Sequence, residues 1–189
     1  MLINVINLER RVARKVSLKE HLDTMGCTYK FWQGFDNPMV MPFENISRSH
    51  KKIVEDAKEN NLESVLVAED DLRFSCKNSF QYFLQNKPTE FDLYFGMIYT
   101  GTIQDKKISH GFSGMQFYCI HNSFYDVFLS APAKKHIDSW LGSQAHRYNF
   151  QVCEPFVCYG KSGYSDNFNR QWTFDESRIP RNLLKDDPI

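Results

Sequence analysis

The chain has 189 residues, enough for one domain with a real core and too few for two independent ones, so a single domain spanning 1–189 is expected. Lysine plus arginine equals aspartate plus glutamate at 23 each, which provides no summed field for nucleic acid or an anionic bilayer, and no nucleic-acid partner is expected. The five cysteines are scattered without a Cys-x-x-Cys pair and read as reduced core thiols rather than as a disulfide framework or a zinc site. No apolar stretch is long enough to span a bilayer, and the first residues lack the basic start and long apolar centre of a signal peptide. A cytoplasmic protein is therefore expected, with room for peripheral association at the inner face of a membrane.

In chain order, LINVINL at 2–8 is apolar over strand length and stops at Glu9-Arg10-Arg11, as a buried strand feeding a helix does. Val12, Val16, Leu22 and Met25 then recur at helical spacing, and Gly26 stands where a left-handed cap ends a helix. Residues 29–35 read as a second strand, and 36–44, with Asn37, Pro38 and Pro42, as a loop. Ile46, Ile53, Val54 and Ala57 lie on one side of a helix over 46–60. The run Ser64-Val65-Leu66-Val67-Ala68 is a continuous apolar strand that leads straight into Glu69-Asp70-Asp71.

Further on, helices are expected at 79–85, 123–130 and 137–148, and strands at 91–95 and 115–120. Alternation of strands and helices predicts an α/β fold with a mostly parallel, Rossmann-like central sheet and helices on both faces. The tail after about 167 is polar and expected to be partly irregular. The 16 Phe, 9 Tyr and 3 Trp suit a buried core and also provide flat surfaces for stacking on a base or sugar.

Three consecutive carboxylates after an apolar strand raise one another's pKa unless a cation compensates. In extended backbone side chains two apart point the same way, so Glu69 and Asp71 are expected to face one site and Asp70 another. Oxygen ligands of this kind suit Mg2+ or Mn2+ with room left for phosphate oxygens, and open α/β sheets bind ligands beyond the carboxyl ends of their strands. A solvated acidic turn is the bland alternative.

The segments VINLERRVAR, SRSHKKIVEDAKENNLESVLVAEDD, FDLYFG and GMQFYCIHNSFYDVFL, with weaker matches at HIDSW and YSD, resemble in this order those of glycosyltransferase family 25, the lipooligosaccharide and collagen galactosyltransferases. The central block is the most specific of them. The resemblance covers roughly residues 1–167, in a short variant whose segment between Gly96 and Gly114 is an abbreviated connection beside the family's pattern. It implies a GT-A type fold, a UDP-sugar donor (often UDP-galactose), a divalent metal, inversion at the anomeric carbon, and a glycan or lipid-linked saccharide acceptor.

On that reading Asp71, assisted by Glu69, is the expected metal ligand. Asn7, Leu8, Arg11, Arg14, His50, Glu69 and Asp70 are expected at the donor, the arginines as bidentate partners of a diphosphate. Asp138 is the expected general base and Asp166 the reserve. His110, His121, His136 and His146 have no metal-like spacing and read as structural or surface residues; Trp32, Trp140 and Trp172 are open to stacking on an acceptor sugar, with core packing the favoured use, above all for Trp32. Two other classes remain open: a metal-dependent nucleotidyltransferase or phosphohydrolase, since strand-end carboxylates serve phosphoryl chemistry too, and a non-catalytic relative that binds a sugar nucleotide.

Overall fold

The computed structural model describes residues 1–167 and 169–173. Its elements are β1 (Ile3–Asn7), α1 (Val12–Thr24), β2 (Tyr29–Gln33), α2 (Pro42–Glu59), β3 (Ser64–Glu69), β4 (Leu72–Phe74), α3 (Ser79–Gln85), β5 (Leu93–Phe95), β6 (Thr100–Gln104), β7 (Lys107–Ser113), β8 (Phe117–His121), α4 (Tyr125–Leu129), α5 (Ile137–Gln144), β9 (Phe150–Val152), β10 (Cys158–Gly160), β11 (Gly163–Ser165) and β12 (Arg170–Trp172). An eight-stranded sheet in the order β2-β1-β3-β8-β5-β9-β7-β6 forms the centre, and two small two-stranded ribbons, β4 with β10 and β11 with β12, lie outside it.

Local chemistry explains the first half. Ile3 and Val5 of β1 join Leu66 and Ala68 of β3 in one apolar cluster, which Leu18 and Leu22 of α1 cover on that face. Gly26, at φ +64, takes the left-handed turn after α1 at no steric cost. On the other face Ile53, Val54 and Ala57 of α2 pack on Val65 and Val67, together with Phe128 of α4 and Leu141 of α5. Helices thus cover both faces, as the alternation of elements predicts. Fully buried Phe83 of α3 stacks on Tyr94 at 4.5 Å and meets Phe117 at 4.6 Å, and burying a side chain of this size stabilises by about 1.5–3 kcal/mol.

The sheet is mixed rather than mostly parallel. β1 pairs in parallel with β2 and β3, and β5 with β9, but β8 runs antiparallel to both β3 and β5, and β7 is antiparallel to β6 and β9. The turn between β6 and β7 reverses the chain, and the short link 114–116 carries the reversed direction on into β8. The supposed abbreviated connection is itself the hairpin β6–β7, turned through Asp105 and Lys106 at φ +49 and +64. The loop expected over 36–44 is shorter because Pro42, whose missing N–H costs nothing in a first turn, opens α2. Part of the tail expected to be irregular is regular, since β12 pairs with β11; 174–189 lie outside the described residues. No helix among the described residues is long and apolar enough to cross a membrane.

Candidate functional site

Because β1, β2 and β3 are parallel, their carboxyl ends share one edge, and a cleft of about 650 Å³ opens there. One wall comes from Leu8, Arg10, Arg11, Arg14 and the acidic triplet, a second from 35–38 and the start of α2, and a third from 113–116, His136–Asp138 and the segment around β11. The buried face of α2 changes character along its length. Asn45, Ser47, Ser49 and His50 form its first half and Ile53, Val54 and Ala57 its second, so the polar part reaches the cleft and the apolar part the core. Asn45 donates from Nδ2 to the Asn37 carbonyl at 2.9 Å, and the Ser49 hydroxyl accepts from the Phe35 N–H at 2.8 Å, which ties the loop after β2 to the helix.

The strand ends at Glu69, and Asp70 and Asp71 form a turn into β4. The alternation expected across the triplet therefore stops one residue in, and all three side chains line the cleft. Asp70 accepts from Asn7 Nδ2 at 2.8 Å and from Arg14 Nη1 at 2.9 Å. Asn7 thus fixes Asp70 from the end of β1. Burial raises the Asp70 pKa, offset in part by Arg14 and Asn7. Asp71 is different. Its Oδ1 is buried without a hydrogen-bond partner, and its nearest guanidinium contact is Arg14 Nη1 at 3.8 Å from Oδ2. Burial, reinforced by the charges of Glu69 and Asp70, pushes its pKa up to about 8.

Glu69 faces His50, whose Nε2 lies 3.4 Å from Oε1, while His50 Nδ1 is 3.0 Å from the Tyr118 hydroxyl. His50 is 1% exposed, so it stands behind Glu69 rather than open to a ligand. Leu8 lines the wall beside Arg11, which reaches Asp166 Oδ1 at 2.7 Å; Arg10 adds a second contact to that oxygen at 3.2 Å and pairs with Asp36 at 2.6 Å. Burial raises the Asp166 pKa, but Arg11 and Arg10 outweigh it and hold the group below the usual carboxylate range. Asp138, in the first turn of α5, lines the far wall, with Oδ2 accepting from the Gly114 N–H at 3.2 Å and Oδ1 from the Ser139 N–H at 2.7 Å.

Among the described residues no group of three or more His, Cys, Asp or Glu side chains is arranged to hold a metal ion. What the turn offers instead is one orphaned carboxylate oxygen on Asp71 in a crowd of negative charge. That suits a hard divalent cation held by one or two carboxylates, its other positions taken by phosphate oxygens and water.

Several wall residues have no signal in the sequence. Gln116, Lys161, Tyr99 and Arg10 come from four separate stretches, and only the polar Gln116 at the head of an apolar strand stands out in its neighbourhood. His136, which reads from the sequence as a structural or surface residue, lines the cleft and sits on Phe43 at 4.8 Å. Trp172 lines the cleft too, whereas Trp140 packs against the core and Trp32 donates to Asn4 Oδ1 at 2.9 Å.

No protein-family model and no curated protein sequence matches this chain. Solved structures do. A glycosyltransferase involved in glycosylation of the major capsid of PBCV-1 is similar with a TM-score of 0.52 at 12% identity, over 82% of this chain and 81% of that one. A Drosophila β-1,4-galactosyltransferase 7 variant, in complex with manganese, UDP-Gal and xylobiose, is similar with a TM-score of 0.51 at 8% identity, over 99% and 82%. At these identities the likeness establishes the fold: a large mixed sheet flanked by helices, similar to GT-A glycosyltransferases.

Proposed function

We propose that this chain is a metal-dependent, inverting glycosyltransferase that moves a hexose, galactose on the family 25 resemblance, from a UDP-sugar to a hydroxyl of a glycan or lipid-linked saccharide in cell-surface polysaccharide or lipooligosaccharide synthesis. The observation that carries the reading is the orphaned carboxylate of Asp71, set at a strand end in the same cleft as Arg11 and Arg14, within a GT-A-like fold. The Drosophila neighbour binds manganese, UDP-Gal and a disaccharide, which supports the same classes of ligand here. On the same reading the protein works in the cytoplasm, at the inner face of the membrane.

Arg11 and Arg14, now paired with Asp166 and Asp70, orient and neutralise the diphosphate. Leu8 gives the donor an apolar wall, and His50 acts on it through Glu69. Asp71, with Glu69 assisting, would hold a manganese or magnesium ion, which would supply Lewis-acid neutralisation of the departing diphosphate. Asp138 takes the proton of the acceptor hydroxyl as its oxygen bonds to the anomeric carbon. The bond to the diphosphate oxygen breaks in the same displacement, and UDP leaves with the electron pair. Asp166 is the poorer base, because Arg11 and Arg10 hold its pKa down.

The test is a calorimetric titration of UDP, with and without manganese, into the wild type and Asp71→Ala. Metal-dependent binding that disappears in the variant is expected; no UDP binding to the wild type under either condition would overturn the donor reading.

A further inference from the structure

We infer that the carboxamide of Gln116 reads a hydroxyl group of the sugar being transferred; the inference rests on the donor reading above and deepens it. Gln116 stands immediately before β8 and is 7% exposed, and its side-chain oxygen has no hydrogen-bond partner although the residue lines the cleft. A buried polar atom left in this state costs the free protein a hydrogen bond, so a ligand that satisfies it gains what the free protein forgoes.

The position of Gln116 says which part of a ligand that is. Its own carbonyl accepts from the Glu69 N–H at 2.9 Å, which joins it to the acidic turn. Two residues earlier, the Gly114 N–H holds Asp138 at 3.2 Å. The glutamine therefore lies between the carboxylates assigned to the leaving diphosphate and the one assigned to the acceptor, and the transferred sugar has to occupy that interval. Space beside the amide is kept by glycine: at Gly114, φ +100, a Cβ would lie 3.1 Å from the Gln116 oxygen and 2.9 Å from the Tyr99 ring, and at Gly160 one would lie 3.4 Å from Gln116 Cγ.

The chemistry selects a hydroxyl. A phosphate oxygen accepts only and gives nothing to a carbonyl oxygen, whereas a hydroxyl both donates and accepts. It therefore matches the carboxamide whichever way the amide is turned about its last bond. A site with a buried polar group of this kind discriminates against a ligand that lacks the matching hydroxyl.

Gln116→Met replaces the amide with an apolar side chain of similar length. Affinities for UDP, UDP-galactose, UDP-glucose and their monodeoxy analogues would be measured by calorimetry with manganese, for the wild type and the variant. UDP affinity is expected to stay the same, while affinity for the better of the two UDP-hexoses falls about tenfold. One deoxy analogue should bind the wild type about tenfold more weakly, and that difference should vanish in Gln116→Met. The melting temperature of the free variant should equal or exceed that of the wild type, since no internal hydrogen bond is lost; a purely structural glutamine would lower it. An unchanged ratio of UDP-hexose to UDP affinity overturns the assignment of Gln116 and leaves the donor reading standing. A wild type that binds no UDP overturns the donor reading and this assignment with it.

Discussion

Asp71 is where the electrostatics of the site concentrate. Its folded-state pKa of about 8 lies far above the ordinary carboxylate value of about 3.9, because burial, Glu69 and Asp70 all disfavour its charge. A group raised in this way contributes stability that is fully present below the unfolded pKa and is lost as pH rises through the folded one. Metal-free protein should accordingly lose stability between about pH 4 and pH 8. Asp71→Asn should flatten that decline and add about 1–3 kcal/mol at pH 8, read from urea midpoints. The two candidate bases separate by kinetics. Asp138→Asn should lower kcat by about 10²–10⁴ with UDP affinity unchanged. Asp166→Asn should instead change UDP affinity, because it frees Arg11 from its present ion-pair partner while Arg10 stays with Asp36. Equal kcat losses in the two variants would remove Asp138 from the role.

At the scale of elements, two contacts decide how the walls of the cleft are held. The first ties α1 to β4, where His21 Nε2 accepts from the Phe74 N–H at 2.9 Å. Burial, then Arg73 and Lys161, push the His21 pKa down to about 4, so the ring is neutral in the folded protein, while the unfolded chain takes up a proton below about 6.5. Stability from this contact is therefore full above the unfolded pKa and lost as pH falls from about 6.5 towards 4. The loss is no more than about 2 kcal/mol after allowance for partial exposure. His21→Gln, whose amide oxygen can accept the same bond, should show a smaller loss over that window in urea titrations. The second contact sets α5, which carries Asp138, on β7. A Cβ on Gly142 would lie 2.6 Å from the Phe112 amide nitrogen, and backbone cannot yield cheaply. Gly142→Ala should cost about 1–3 kcal/mol and lower the melting temperature by several degrees.

For the whole molecule, the cleft is walled by segments far apart in the chain, so ligand binding and folding are linked. If the site is a donor site, manganese with UDP at about 100 times its Kd stabilises the native state by about 2.7 kcal/mol and raises the melting temperature by several degrees. The rise should be absent in Asp71→Ala and with manganese alone at the same concentration, which thermal melts would show directly.

What the sequence by itself determined is local. The apolar run 64–68, the cap at Gly26, the helical faces of α1 and α2 and the acidic triplet at a strand's end all follow from periodicity and residue chemistry over a few neighbours. The tertiary structure decided what those pieces meet. Nothing near position 70 in the sequence announces that Asp70 is held by Asn7, 63 residues away, or that Gly114 will set Asp138 across the cleft. The hairpin β6–β7 escaped notice because its Asp105-Lys106 turn lacks the glycine that usually marks such a turn, and the antiparallel β8 followed from it. The physical reason is that β8 enters the sheet between β3 and β5, and strand order is set by which apolar faces can be buried together across the whole chain. That long-range choice places Gln116 beside the triplet and leaves its amide oxygen without a partner.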